Sequence, residues 1–210
     1  MNGREVVLVH GLWFGPWSMR LLARRLRRAG FRTRFFRYRT TRGSLERHTR
    51  DLRALIGDAA EHPPHIVAHS LGGLVTLKLL AETSGLEAAH VVLLGSPLRG
   101  SVVARKAGRI PGGRKLIGAA RGALLSGHQS PLAPNAVGMI AGTRGFGLGL
   151  LVGGLGGPGD GTVALAETRA EGLVDRLECP VTHTGMLFSR EVARQVAEFL
   201  HRGRFDHSRQ

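Results

Sequence analysis

The chain has 210 residues, 42% of them hydrophobic, which predicts one globular domain with a sizeable core. Its formal net charge of +15 comes mainly from arginine, and its one cysteine, Cys179, excludes an intramolecular disulfide. No basic segment followed by an apolar one opens the chain, and residues 146–157 are too short and glycine-rich to span a bilayer. We therefore expect no signal peptide, no membrane span and a cytoplasmic protein.

The first half of the chain alternates between apolar runs typical of buried strands and amphipathic segments typical of helices. The second predicted strand carries Arg32, Arg34, Arg37 and Arg39, which suit an edge strand because charge discourages pairing with other chains. The predicted elements are a strand over residues 5–10, a helix over 17–29, a strand over 31–38, a helix over 45–60 and a short strand that ends at Ser70.

The same alternation continues in the second half, except in residues 101–131, where the periodicity gives way to basic, glycine- and alanine-rich turns. We interpret that stretch as an excursion above the sheet, with a possible small cap or lid over residues 99–134, rather than as a second domain. The other predicted elements are a helix over residues 74–80, strands over 90–95, 136–141 and about 175–182, and a helix over 189–201. Strands alternating with helices predict an α/β fold, a three-layer sandwich of about six mostly parallel strands flanked by helices.

Two kinds of cofactor motif can be weighed. Residues 154–159 fit the G-x-G-x-x-G spacing of a dinucleotide-binding loop, but no helix opens on them and Pro158 interrupts them. No cysteine and histidine residues have the spacing of a zinc site. The sequence therefore predicts neither a cofactor nor a metal ion.

The most informative stretch connects the third strand to the next helix. Ser70 stands at its apex, with the small residues Ala68 and Gly72 two positions away on each side and Gly73 following. A sharp strand-to-helix turn needs small residues there because the two backbones nearly touch. This pattern predicts a nucleophile elbow, with its serine at the positive end of a helix where an oxyanion is stabilised.

Topology places a second segment beside this serine. Right-handed crossovers put the second strand on one side of the first strand and the third strand on the other. A crevice forms where the strand order reverses, at the carboxyl ends of the first and third strands. Those strands end in His10-Gly11-Leu12 and in Ser70, so we expect the first loop to lie against the elbow.

With these motifs the sequence resembles the α/β-hydrolases, and most of all the small bacterial lipases and esterases. The resemblance covers nearly the whole chain, in the order of the family, but the two N-terminal strands of the full fold are missing and Ala68 replaces the more common glycine. The matching segments are residues 9–12, 68–73, 95–101, 159–163 and 183–187.

The resemblance implies a catalytic triad. Ser70 would be the nucleophile, His183 its general base and Asp160 the carboxylate that orients the histidine, in the chain order Ser, Asp, His of this fold. Asp175 and Glu178 are alternatives for the acid, although each is expected at the surface.

The oxyanion hole would consist of the backbone N–H groups of Leu12 and Leu71, with Trp13 as an alternative donor. Trp13, Phe14 and Trp17 cluster near the proposed hole and predict an apolar substrate pocket. The alternative interpretation is that these aromatic residues fasten the first helix to the sheet.

These observations predict a serine hydrolase that cleaves carboxylic esters, with an apolar acyl chain, through an acyl-enzyme. Thioesterase, amidase and acyltransferase activities with the same triad remain alternatives. So does a protein with a vestigial triad whose arginines bind anionic lipid or nucleic acid. Our expectation for partners is a small-molecule or lipid ester, with weak contact to an anionic membrane surface and no specific nucleic acid.

Overall fold

The protein is built on a single parallel sheet. The computed structural model describes residues 4–57, 63–82, 90–132 and 136–208. Its six strands, β1 to β6 in chain order, are Glu5–Val9, Arg32–Phe36, His65–His69, Val91–Leu94, Val137–Gly142 and Asp175–Cys179. They are all parallel and lie in the order β2-β1-β3-β4-β5-β6. This confirms the predicted fold class and the reversal of strand order between β1 and β3.

Helices cover both faces of the sheet. The α-helices, α1 to α7 in chain order, are Arg20–Arg28, Leu45–Ile56, Leu71–Glu82, Val102–Ala107, Gly113–Ile117, Arg121–Ser126 and Arg190–Arg202. Short 3-10 helices lie at Pro16–Met19, Gly118–Ala120, Leu148–Val152, Leu165–Thr168 and Gly185–Leu187. None of the helices described is long and apolar enough to cross a membrane.

Two hydrophobic cores lie on opposite sides of the sheet. One core includes Leu52 of α2 and Leu74 of α3, and the other includes Leu22 of α1 and Phe199 of α7, all buried. The strands contribute to both cores because successive side chains point to opposite faces. The carboxyl edge of this buried sheet carries the predicted site.

Several element boundaries differ from those predicted. A 3-10 turn, with Pro16 at its start, precedes α1, because proline suits a first helical position. Strand β2 ends at Phe36, so Arg37 and Arg39 lie beyond it and not on the edge strand as predicted. Gly57, with a φ of 71°, ends α2, and the predicted continuation over residues 58–60 falls outside the described residues.

The segment after β4 holds three short helices rather than irregular turns. Helices α4, α5 and α6 carry apolar residues among basic ones, and Ile117 and Leu124 are buried. The side-chain oxygen of Ser101 accepts a hydrogen bond from the Ala104 amide, which caps α4. Residues 133 and 134 of the predicted cap lie outside the described residues.

Candidate active site

Ser70 occupies a strained position between β3 and α3. Its φ of 54° lies in the left-handed region, which costs a non-glycine residue about 1–3 kcal/mol and clusters at functional sites. The turn is tight, because a Cβ at Gly72 would lie 2.6 Å from the Val9 carbonyl oxygen and one at Gly73 would collide with the Ser96 side chain. The small residues therefore allow the turn to raise Ser70 above the end of β3.

His183 and Asp160 form a buried pair. The His183 Nδ1 atom lies 2.7 Å from Asp160 Oδ2, and the His183 backbone N–H donates to the Asp160 carbonyl oxygen at 2.8 Å. The other carboxylate oxygen of Asp160 accepts from the backbone N–H groups of Thr162 at 2.9 Å and Val163 at 2.7 Å. An ionised carboxylate only accepts hydrogen bonds, so Nδ1 of His183 carries the ring proton. In the neutral imidazole, Nε2 is then the nitrogen that can accept a proton.

Two glycines make room for this pair. A Cβ at Gly95, which has a φ of 55°, would lie 2.8 Å from Asp160 Oδ2 and 3.1 Å from His183 Nδ1. A Cβ at Gly142 would lie 2.7 Å from the Asp160 Cβ. Gly95 directly follows β4, and Gly142 is the last residue of β5. The sequence analysis gave neither of them a role at the site, although a glycine at a strand end is the signal for such close approach.

The structure separates Asp160 from the alternative acids. Asp175 is the first residue of β6, at the opposite end of the sheet from the elbow, and it accepts hydrogen bonds from the Phe205 amide and from His207 Nε2. Glu178 is exposed and pairs with Arg176. Neither carboxylate has a contact with His183.

Ser70 and His183 line the same cavity, which has a volume of about 850 Å³. Both side chains are more than nine-tenths buried, and Asp160 lies beneath them with 1% of its surface exposed. The remainder of the lining is mainly apolar and comes from the loop after β1, from α4 to α6 and from the loops before β6. It includes Leu12, Trp13, Phe14, Val103, Ala104, Ile117, Leu124, Phe146, Leu148, Leu150 and Leu151.

The loop after β1 packs directly on the elbow, as topology predicts. A Cβ at Gly11 would lie 3.0 Å from the Ser70 Cβ, so only glycine allows this approach without displacement. Leu71 is the first residue of α3, where backbone N–H groups lack helical partners. The Trp13 amide donates to the Thr40 side-chain oxygen at 3.1 Å, so this amide already has a partner.

His69 contacts His183. The Nε2 atom of His69 lies 3.1 Å from the His183 carbonyl oxygen, and the two imidazole centroids are 4.6 Å apart. The pKa of His69 is lowered well below 6.5, mainly by burial and to a smaller extent by the nearby His183. His69 is therefore neutral and donates its Nε2 proton to the carbonyl oxygen. The sequence analysis gave His69 no role, and only the fold reveals this contact.

The three predicted substrate-binding aromatics do not share one pocket. Trp13 and Phe14 line the cavity at Ser70, but Trp17 lines a second cavity instead. The Trp17 ring meets Phe14 edge-on at 5.7 Å. No group of three or more histidine, cysteine, aspartate or glutamate side chains in the described ranges could hold a metal ion.

A parallel sheet with a serine of positive φ at a strand–helix turn, in one cavity with the histidine of a histidine–carboxylate pair, is typical of one class of α/β fold. A model of the Alpha/beta hydrolase family matches residues 6–203, and the chain belongs to that family. No curated protein sequence matches this chain significantly.

Solved structures of lipases and esterases share the fold. The mature form of Bacillus licheniformis lipase BlEst2 has a TM-score of 0.77 and 18% identity, over 95% of this chain and 91% of that one. The metagenomic carboxyl esterase MGS0156 has a TM-score of 0.64 and 19% identity, over 87% and 65%. Phospholipase PlaB from Legionella pneumophila has a TM-score of 0.59 and 14% identity, over 79% and 45%.

Proposed function

We propose that this protein is a serine hydrolase that cleaves carboxylic esters through an acyl-enzyme. The observation that carries the proposal is the 2.7 Å bond between Asp160 and His183, a histidine that lines one cavity together with Ser70 at its strained turn. A strained serine and a buried carboxylate bonded to Nδ1 of a histidine in the same cavity together match the requirements of nucleophilic catalysis.

Each residue then has one chemical task. The Ser70 oxygen attacks the ester carbonyl carbon and gives its proton to His183 Nε2, while Asp160 stabilises the imidazolium. The amides of Leu12 and Leu71 donate to the oxyanion of the tetrahedral intermediate. His183 returns the proton to the leaving alcohol, and a water molecule, activated in the same way, releases the acid from Ser70.

The apolar lining supports an apolar acyl chain. Four large side chains around the cavity are well exposed, with 43% of the surface of Trp13, 76% of Phe146, 60% of Leu150 and 77% of Leu151 accessible. Exposed apolar groups around a cavity favour contact with apolar ligands. We propose that helices α4 to α6, which supply Ile117 and Leu124, act as a small cap over that chain.

A fluorophosphonate probe with intact-mass analysis tests the assignment. We expect one adduct, located on Ser70 by peptide mapping and absent from the Ser70→Ala variant. Ser101→Ala is the matched control, because Ser101 lines the same cavity but its oxygen caps α4, and that variant should still be labelled. An adduct on Ser96 or Ser101, or no adduct on folded protein, would reject the proposal.

A further inference from the structure

A second cavity, of about 1140 Å³, lies beside the site and is strongly basic; we call it the arginine cavity. Five of its lining residues are arginines, and Asp51 is its one acidic residue. The five arginines are Arg20, Arg37, Arg39, Arg42 and Arg47.

Most of this charge is not neutralised by the protein. Arg47 lies 3.8 Å from Asp51 in an exposed pair. Within the described part of the chain, no carboxylate lies within ion-pair distance of the other four, which are Arg20, Arg37, Arg39 and Arg42. Guanidinium groups present planar forks of donors that match the oxygens of a phosphate, so an unpaired group of four is suited to a phosphate.

The position of these arginines favours a ligand rather than protection of a sheet edge. Strand β2 ends at Phe36, so Arg37 and Arg39 follow its carboxyl end. In a parallel sheet the carboxyl ends share one edge, and this is the edge on which Ser70 lies. The edge strand itself retains Arg32 and Arg34, and Arg34 pairs with Glu5 at 2.9 Å.

The lining also contains a buried imidazole, that of His48. His48 has 5% of its surface exposed, and neither ring nitrogen makes a hydrogen bond of standard geometry, although the Arg39 backbone lies close enough to the ring to act as a partner. The His48 ring meets Tyr38 edge-on at 4.7 Å, and a Cβ at Gly43 would lie 2.9 Å from its Cε1 atom, so glycine lets the loop lie against it. The Arg39 backbone can serve only one of the two ring nitrogens, and buried polar atoms are normally satisfied, so His48 leaves a polar group of the cavity lining available to a ligand.

The arginine cavity and the cavity at Ser70 share one wall. Residues 12–14 line the cavity at Ser70 and residues 15–17 line the arginine cavity. Phe14 and Trp17, whose ring centroids are 5.7 Å apart, contribute one ring to each side. The two cavities are therefore direct neighbours at the carboxyl edge of the sheet.

We propose that the arginine cavity binds the phosphate group of the enzyme's acylated substrate. This inference rests on the proposed ester hydrolysis for the identity of the substrate, but not for the binding of phosphate. The phosphate could belong to a lipid headgroup or to a water-soluble acyl carrier, and both present the same oxygens to the arginines.

Binding is tested by calorimetry on the Ser70→Ala protein, which cannot turn the ligand over. The probes are inorganic phosphate and dihexanoyl phosphatidic acid. We expect saturable binding of both, weakened at least tenfold by Arg37→Gln/Arg39→Gln. Arg24→Gln/Arg28→Gln removes two exposed charges of α1 that do not line the cavity, and should leave binding unchanged. No saturable binding, equal weakening in both double variants, or binding of duplex DNA alone would overturn the inference.

Turnover by the parent enzyme distinguishes the two sources of phosphate. The substrates are dihexanoyl phosphatidic acid, dihexanoylglycerol and hexanoyl coenzyme A. We expect Arg37→Gln/Arg39→Gln to raise KM at least tenfold for the preferred phosphate-bearing substrate and to leave dihexanoylglycerol unaffected. Equal effects on all three would overturn the substrate assignment. If Ser70 is labelled and dihexanoylglycerol is cleaved but phosphate does not bind, the inference fails while the proposed function stands. Phosphate binding without any hydrolysis or labelling would mean that the proposed ester hydrolysis fails while the arginine cavity still binds phosphate.

Discussion

His69 Nε2 lies 3.1 Å from the carbonyl oxygen of His183, so the residue before the elbow serine holds the backbone of the proposed base. The contact joins the end of β3 to the loop after β6, which are 114 positions apart in the chain. Because His69 is buried and neutral, it can donate this bond without adding charge beside the imidazolium of the proposed mechanism. His69 is therefore interpreted as a positioning residue.

Replacing His69 tests that interpretation. We expect His69→Leu to lower kcat by about tenfold with little change in KM, because His183 loses the bond that fixes its backbone. His65→Leu is the control, since His65 is also buried on β3 but neither of its ring nitrogens has a partner. Turnover of a chromogenic ester is measured together with its pH profile. Equal losses in the two variants would mean that β3 needs both histidines only for packing.

Asp160 is expected to dominate over the alternative acids. Asp160→Asn should reduce kcat by about 10³–10⁴-fold, because an amide no longer holds the Nδ1 tautomer of His183 or stabilises the imidazolium. Asp175→Asn and Glu178→Gln should change kcat by less than about threefold. The three variants are assayed side by side on one ester. If Asp175→Asn lost its activity while Asp160→Asn stayed active, the acid of the triad would have to be reassigned to Asp175.

The acyl chain should be recognised by the apolar lining. Each buried methylene contributes about 0.8 kcal/mol, so kcat/KM should rise by up to about fourfold per added methylene from acetyl to hexanoyl esters. Ile117→Ala should flatten this rise, because Ile117 is 3% exposed and lines the cavity. The neighbouring Leu116 is 62% exposed, so Leu116→Ala should leave the dependence of kcat/KM on chain length unchanged. A parent enzyme that prefers acetyl esters would contradict the assignment of the cavity.

Stability should fall in mild acid because of the buried histidines. Burial, with further effects of His90, Arg4 and His201, lowers the pKa of His65 to about 4. In the unfolded chain the pKa is about 6.5, so the unfolded state binds more protons and stability is greatest above pH 6.5. The free energy of unfolding falls progressively as the pH is lowered towards 4, and His65 accounts for a loss on the order of 3 kcal/mol.

Urea unfolding at several pH values between 7.5 and 4 measures this loss. The same variant, His65→Leu, should lose less stability over that range than the parent protein. Equal losses in the two proteins would show that His65 is not buried as a neutral group. Burial also lowers the pKa of His10, His48 and His128, so a residual loss is expected in the variant.

The net charge of +15 should give only non-specific contact with nucleic acid. Binding to mixed-sequence duplex DNA should weaken with salt and disappear near physiological ionic strength, because it depends on counterion release. Fluorescence anisotropy at 50 and 150 mM salt measures this. Tight, sequence-selective binding at the higher salt concentration would instead favour a nucleic-acid-binding protein.

The sequence by itself determined the order and type of the main elements. Apolar runs alternating with amphipathic segments dictated a parallel sheet, and crossover handedness then dictated the order of its first three strands. The elbow at Ser70 was also readable, because the steric demand for small residues at positions 68, 72 and 73 is local. Local patterns of this kind are recorded in neighbouring residues, whatever the rest of the chain does.

Only the tertiary structure decided which distant groups meet. Asp160, Asp175 and Glu178 all precede His183, and the sequence favoured Asp160 only through a family resemblance, whereas the fold brings the Asp160 carboxylate to 2.7 Å from the imidazole. The fold likewise places Trp17 in the lining of the arginine cavity and not in that of the cavity at Ser70. Arg37 and Arg39, which lie beyond the end of β2, line the same arginine cavity. Such contacts depend on where loops from separate strands end, and a one-dimensional pattern carries no distance between residues that are far apart in the chain.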